Sequence, residues 1–491
     1  MTFLGIDLGT SGLRALLVDE EGATICSAER SYSSVHAHSG WSEQDPTHWV
    51  AALDAVVEEL RETYPELADL SAVGVAGHMH GATLLDKDGA VIRPCILWND
   101  TRSSEQAHAL DQLEGVRDLS GNIVFPGFTA PKLAWVKAHE PENFARVAKV
   151  VLPAGYLNFY LTGSYVADMS DSAGTSWLDV ARRAWSDRLL EATGLKESQM
   201  PRLVEGCQAA GLLRPELARK WGVGDNVIVA GGAGDNAAAA CGIGALNEGD
   251  GFLSLGTSGV FLAARDGYYP DPSSALHTFC HAVPERWYQM GVMLAATDCL
   301  NWLGQITGQS PADLTNALGE DLDPPSPVKF FPYLSGERTP HNDANIRGSF
   351  TGIGKDTTQA DLTRAVLQGV AFGLRDLFEA LVQTGARMER VLVIGGGAQS
   401  QYWVKLIATV LNIPLELPKS GEFGAALGAA RLAILAKRRD DPDKILTAPE
   451  TGDRILPDPK LVDQFDKAYS AFRSAYPSLQ KISSRSGGDN Q

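Results

Sequence analysis

The sequence predicts an α/β protein built from two similar halves that face each other across a cleft. Three features of the chain lead there. The pentapeptide LGTSG occurs twice, at Leu8–Gly12 and at Leu255–Gly259, each time between two short apolar runs, the layout of a strand–turn–strand unit. Apolar strands alternate with amphipathic helices on both sides of the midpoint. And 491 residues are too many for one core, so two or more domains are expected.

In the first half, strands are predicted over 3–7 and 13–18, around the first LGTSG, with TICSAERSY (24–32) as a third pairing strand and further strands over 71–77 and 82–86. DPTHWVAALDAVVEELRETY (45–64) reads as a helix. Asp45 is placed to cap it, Pro46 suits its first turn, and Trp49, Ala52, Val56 and Leu60 recur at helical spacing. Helices follow at about 101–119, 129–139, 153–161 and 186–193. NVIVAGGAGDNAAAACGIGAL (226–246) begins as a strand, breaks at glycines and continues as a helix of small residues. This puts the boundary near Ala245–Asp250, with an N-terminal domain over 1–245 and a C-terminal domain over 246–491.

The second half restarts with GFLSLGTSGVFLAA. A strand RWYQMGVML, a helix AATDCLNWLGQI and the turn-rich loop FFPYLSGERTPH (330–341) follow, the loop having the chemistry of a functional segment. Then come a long helix at about 358–384, the strand RVLVIGGG, the helix SQYWVKLIATVL, the strand PLELP and a last helix from Gly424. The polar tail from about 480 is expected to be disordered.

The net charge of −18 repels nucleic acid and anionic membranes, so neither is expected as a partner. An anionic ligand would need a local cradle of backbone N–H groups and metal. No apolar run reaches the roughly 18–20 residues of a membrane span. MTFLGID has the pattern of a strand, not of a signal peptide, so a cytoplasmic location is expected. The cysteines at 26, 95, 207, 241, 280 and 299 form no CxxC and no zinc spacing, which suits reduced, buried thiols.

The first turn runs Asp7-Leu8-Gly9-Thr10-Ser11-Gly12, with Arg14 beyond it. Gly9 and Gly12 permit backbone conformations in which successive N–H groups point inward and bind phosphate oxygens. Thr10 and Ser11 add hydroxyls, Arg14 adds a cation, and Asp7 can hold a hydrated magnesium ion. One such turn alone is equally well an ordinary hairpin; its duplication favours phosphate binding. In GGAGDN, Asp235 and Asn236 sit between a glycine run and a helix start. Helix capping is the plain account. The bare surroundings favour a carboxylate that accepts a hydroxyl proton in phosphoryl transfer. His78, Met79 and His80 before Gly81 suit the wall of a polar-ligand pocket, and Trp98, Asn99, Asp100 and Arg102 in ILWNDTR suit sugar binding, although Asp100 also suits a helix cap. The glycines of VLVIGGGAQS are placed to lie against a flat ring or a phosphate. There is no GxGxxG with a suitably spaced acid and no GxxxxGK[ST], which argues against nicotinamide and P-loop sites.

Taken together, these motifs resemble those of the FGGY carbohydrate kinases. DLGTSGLRA resembles that family's first phosphate loop, LSLGTSG the second and GGGAQS the adenosine loop, while FTAPKLAWVKAHE (128–140) and GSFTGIG…DLTRAVLQG (348–369) resemble its two signatures. The resemblance spans Phe3 to about Ala433. It implies a two-domain actin/hexokinase-like (ribonuclease H-like) ATPase fold with a central cleft, ATP and Mg2+ as cofactors, and a small-molecule sugar as substrate. GHMHGATLLD, ILWNDTR and FPYLSGERTPH are most similar to those of members that phosphorylate D-xylulose at its 5-hydroxyl. A kinase for ribulose or another ketose or polyol, or a non-metabolic ATPase of this fold, are the alternatives.

Carried over by motif, Asp235 is the catalytic base, and Met79, His80 and Asn236 contact the sugar with Trp98 and Asp100 nearby. Thr10, Ser11, Arg14 and the loop Gly256, Thr257, Ser258, Gly259 hold phosphates. Gly396, Gly397 and Gln401 border the nucleotide, and Asp7 and Asp235 serve the metal. His78 departs from the glutamine expected there, and Glu422 and Ala425 match only loosely. A homodimer is expected from the family.

Overall fold

The computed structural model describes residues 1–419 and 424–486. Two seven-stranded sheets share a five-strand core, an antiparallel three-strand meander with two parallel strands beside its first strand, and differ at their edges. In the first, the hairpin Thr2–Leu8 and Gly12–Val18 continues antiparallel to Thr24–Ser31 on one side. On the other side the strand Leu70–Gly77 runs parallel to the first, followed by Ile228–Ala230 and, antiparallel at the edge, Ala209–Leu212. In the second sheet the hairpin Gly249–Leu255 and Gly259–Arg265 continues to Trp287–Met293 and the edge strand His277–Cys280. Its other side adds parallel Met388–Ile394 and Leu415–Pro418, then antiparallel Thr451–Ile455. The two similar halves expected from the LGTSG repeat share this five-strand order; the first sheet's seventh strand, Ala233–Gly234, pairs with Leu70–Gly77 and has no counterpart in the second.

The opening strand is apolar on both faces because both are covered. Leu4, Ile6 and Leu8 pack with Trp49, Leu53 and Val56 of the helix Pro46–Thr63, which Asp45 caps through the Thr47 N–H at 2.9 Å. Phe3, on the opposite face by strand alternation, packs with Ala426, Ala430 and Ala433 of the helix Ala425–Arg438. That helix comes from the end of the chain yet lies on the first sheet. Its approach is close enough that a Cβ at Gly5 would sit 1.9 Å from the Ala426 carbonyl oxygen, and one at Gly74 2.0 Å from that of Ala429.

The helix Asp235–Ile243 shares a hydrophobic cluster with Phe252, Leu262 and Leu392 of the second sheet. The two helices cross so tightly that a Cβ at Gly428 would sit 1.8 Å from the Ala238 carbonyl oxygen. The small-residue character of both segments is what permits this four-layer stack, sheet, helix, helix, sheet.

Several predicted elements differ in detail. The helix expected over 101–119 is broken into Ser104–Asp111 and Val116–Ser120, because Gly115 takes a left-handed φ of 74°. The strand expected over 82–86 is Thr83–Leu85, paired with Lys149–Val151 outside the main sheet. The helix from Gly424 is not the last: Val462–Ser486 is helical, running past the point near 480 where a disordered tail was expected. Its Phe465, Tyr469 and Phe472 are buried at helical spacing, a periodicity legible in the sequence but hidden by the polar end of the chain. Residues 487–491, and Glu422, lie outside the described residues. All six cysteines are free, and all but Cys207 are buried. No helix among the described residues is long and apolar enough to cross a membrane.

Candidate active site

The two turns project from the ends of their hairpins. In the first, the Gly9 N–H donates to the Gly12 carbonyl at 2.9 Å; in the second, the Gly256 N–H donates to the Ser258 carbonyl at 3.1 Å. The N–H groups of Thr10, Ser11, Thr257 and Ser258 find no acceptor among the described residues, which leaves them for an anion. The expected reason for the glycines is corrected, since none of Gly9, Gly12, Gly256 and Gly259 has a positive φ. Gly12 and Gly259 are needed for clearance: a Cβ at Gly12 would lie 2.8 Å from the Arg30 carbonyl oxygen and one at Gly259 3.0 Å from Leu374 Cδ2.

Asp235 opens its helix without capping it. Gly234 is the cap residue and no side chain bonds there. The Asp235 carboxylate instead accepts from the Asn236 backbone N–H at 2.7 Å and the Asn236 amide at 2.9 Å. Burial, and then the charge of Asp7, push its pKa up to about 7. Asp7, at the end of the opening strand, is raised to about 6 by burial, with Arg14 opposing. Two acids thus lie close together beside the first turn, and the charge of Asp7 makes Asp235 harder to ionise.

The wall around Met79 and His80, expected to face a sugar, is built from several elements. His80 has a left-handed φ of 71°, unusual for a residue with a Cβ. It is held there by its carbonyl, which accepts from Lys132 Nζ at 2.9 Å and Thr129 Oγ1 at 3.2 Å, both on the helix Thr129–His139. Burial lowers the pKa of Lys132 to about 7. His80 Nδ1 lies 2.7 Å from the Gly174 carbonyl oxygen; a carbonyl only accepts, so Nδ1 carries the proton and Nε2 is left as an acceptor. Burial, and then the charge of Lys132, keep this imidazole neutral, with a pKa near 3. Met79 is buried between the halves, its Sδ 4.0 Å from the Tyr288 hydroxyl.

Other expected site residues lie elsewhere. His78 is buried edge-on to Trp49, and neither ring nitrogen has a hydrogen-bond partner among the described residues. Asp100 is corrected: its carboxylate is buried and taken up by the Ser42 N–H at 2.6 Å and by Arg102, which stacks on Trp41. Trp98 is exposed, and its indole N–H donates to Thr10 Oγ1 at 2.9 Å, so it belongs to the first turn. Gly396 and Gly397 line a cleft of about 490 Å3 with Thr297, Ser310, Gln399 and Ser400. Gln401 is outside that lining and reaches toward Asp453 at 3.5 Å.

Sequence reasoning passed over Lys132, Asp171 and Arg338. The first was visible only as part of a signature, the last only as part of a turn-rich loop. Asp171 is fully buried with neither carboxylate oxygen partnered, and burial and the charges of Asp168 and Asp235 hold its pKa well above the usual range. Among the described residues no cluster of three or more His, Cys, Asp or Glu side chains could hold a metal by itself. Asp7 and Asp235 nonetheless suit magnesium, which is commonly held by one or two carboxylates together with the phosphates of a bound nucleotide.

Comparison with known proteins places this geometry in a family. Residues 2–242 match the N-terminal domain, and residues 251–437 the C-terminal domain, of the FGGY family of carbohydrate kinases. The chain is 43% identical over 483 residues to the xylulose kinase of Escherichia coli K12, covering 97% of this chain and 99% of that one. It is 45% identical over 444 residues to the xylulose kinase of Klebsiella pneumoniae, covering 90% and 91%. A crystal structure described as a xyloylose kinase from Brucella ovis superimposes with a TM-score of 0.97 at 52% identity, covering 98% of this chain and all of that one.

Proposed function

The chain belongs to the FGGY family of carbohydrate kinases, and from that premise we propose that it transfers the γ-phosphoryl group of ATP to the 5-hydroxyl of D-xylulose. The observation that carries the reading is the Asp235 carboxylate, uncapped at a helix start between the first turn and the Met79–His80 wall. Asp235 accepts the hydroxyl proton as the new O–P bond forms. The transition state of such a transfer is loose, so orientation of the hydroxyl does most of the work and the proton moves late.

His80 Nε2 accepts from a sugar hydroxyl, and Asn236, beside the base, contributes a second polar contact. The N–H groups of Thr10 and Ser11 from one half, and Thr257 and Ser258 from the other, hold the phosphate chain, with the purine in the cleft lined by Gly396 and Gly397. Magnesium, held by Asp7 and Asp235 with the phosphates, would supply charge neutralisation on the phosphoryl oxygens. Closure of the halves excludes water, the competing nucleophile.

Release of ADP measured with D-xylulose, D-ribulose, L-ribulose, L-xylulose and glycerol tests this directly. Sugar-dependent turnover highest with D-xylulose is expected. Turnover indifferent to sugar would overturn the kinase reading, and a maximum with another ketose would replace the substrate.

A further inference from the structure

Arg338 lies in the loop between the strands Lys329–Phe331 and Ser349–Thr351, in the second half of the chain. Its neighbours on both sides are pinned. The Glu337 carboxylate accepts from the Leu294 N–H at 3.1 Å and the Arg338 N–H at 2.8 Å, and Glu337 exchanges backbone bonds with Asp343 at 2.8 Å. The Thr339 hydroxyl donates to the Ala275 carbonyl at 3.1 Å, and the Thr339 N–H to that of Val292 at 3.1 Å. Farther along, the last helix braces the loop: Tyr476 stacks on His341 at 3.6 Å and donates to Asp343 at 3.0 Å.

The guanidinium so positioned reaches the opposite half. It lies 4.8 Å over the Phe125 ring, in the field of His80 and His277, and it makes no hydrogen bond or ion pair among the described residues. Five donors seated on an aromatic face and left without an acceptor are matched to a ligand oxygen.

The contacts along the wall give the order of groups. Gly234, next to Asp235, faces Met79, since a Cβ there would lie 2.8 Å from Met79 Cγ. Gly174 touches both Met79 and His80. His80 stacks on Phe128 at 4.6 Å, Phe128 meets Phe125 at 5.6 Å, and Arg338 covers Phe125. The charge of Arg338 also acts directly on His80, so a sugar whose reacting hydroxyl is at Asp235 and whose chain follows Met79 and His80 has its far end toward Arg338. For a 5-phosphorylated ketose, the far end carries the carbonyl. A carbonyl oxygen only accepts and a guanidinium only donates, so the two are complementary in a way a hydroxyl does not require.

We propose that Arg338 is a specificity-determining residue that donates to the carbonyl end of the ketose, from the half of the molecule opposite the base. This rests on the function proposed above. It makes sugar binding draw the two halves together and selects ketoses over the corresponding alditols.

The experiment compares D-xylulose with xylitol, in which a hydroxyl replaces the carbonyl, by calorimetric affinity without nucleotide and by kcat and KM with ATP. In R338M, the preference for D-xylulose over xylitol is expected to fall about tenfold or more, in KM more than in kcat, with the KM for ATP unchanged. In R338K, which keeps a donor, part of the preference is expected to return. An unchanged preference in R338M, in protein with a wild-type circular dichroism spectrum, overturns the assignment, as does a preference that falls equally in R338M and R338K. Failure of the function itself reads out separately, as absent turnover of D-xylulose by the wild type.

Discussion

The two LGTSG turns have identical residues and different surroundings. The first is braced by side chains: Trp98 bonds Thr10 Oγ1, the Gln44 amide donates to the Thr10 carbonyl at 2.6 Å, and the Tyr32 hydroxyl donates to the Gly9 carbonyl at 2.6 Å. Asp7 stands just before it. The second is docked by backbone alone onto the start of the helix Thr297–Thr307. The Ala296 N–H donates to the Thr257 carbonyl at 2.8 Å, and the Thr297 N–H to the Gly256 carbonyl at 2.9 Å. One turn is thus tied to the acids and the Met79–His80 wall, the other to the border of the cleft lined by Gly396 and Gly397. Equal sequences supply equal N–H groups, and the packing around them differs.

The largest expected effect tests the acid side. Asp235→Asn should lower kcat by about a thousandfold while leaving calorimetric sugar affinity within about threefold, because it removes a proton acceptor and little volume. Near-wild-type turnover would return Asp235 to a structural role.

The pH profile sharpens the same point. Burial and Asp7 raise Asp235 to about 7, so the carboxylate form is lost as pH falls through that value. The kcat/KM for sugar should therefore drop about tenfold per pH unit below that point and level off above it. In Asp7→Asn, where the second cause of the shift is gone, the acidic limb of the residual activity should move to lower pH. A profile flat from pH 5 to 8 (about three units across Asp235's range) would refute the base assignment.

On the nucleotide side, Gly256→Val should raise the KM for ATP by about tenfold with the fold intact. The backbone there has no positive φ, and a Cβ would meet nothing nearer than the Ser258 carbonyl oxygen at 3.6 Å, so the added methyls occupy ligand space. Unchanged nucleotide affinity would count against that loop.

The smallest effect separates the turns by stability. At Gly12 a Cβ meets the Arg30 carbonyl oxygen at 2.8 Å, and at Gly259 the Leu374 Cδ2 methyl at 3.0 Å. Backbone cannot give way and a leucine methyl can. Gly12→Ala should cost about 1–3 kcal/mol in urea unfolding and Gly259→Ala about half of that or less. Equal losses would mean that the two turns are not held differently.

Much of the site was legible where chemistry sits in a contiguous motif. The hairpins, the Asp235–Asn236 helix start and the glycines after Ile394 lie where their local patterns put them, because turn chemistry and caps are short-range. Asp100 was misplaced because the same residue type serves a buried ion pair equally well; only burial and partners decide. Arg338 reaches Phe125, and Lys132 reaches His80, across more than 50 residues of chain, and no local pattern announces such a contact.

The sequence by itself determined most strands, the turns and the presence of two similar halves, since alternation, helical spacing and glycine punctuation are properties of neighbours along the chain. Only the tertiary structure decided that the helix Ala425–Arg438 closes the first sheet, that the C-terminal helix braces the loop of Arg338, and that Asp7 and Asp235 lie close together. Those pairings join residues more than 130 positions apart. They are set by which small-residue faces can approach within van der Waals distance, a condition that exists only once the layers have packed.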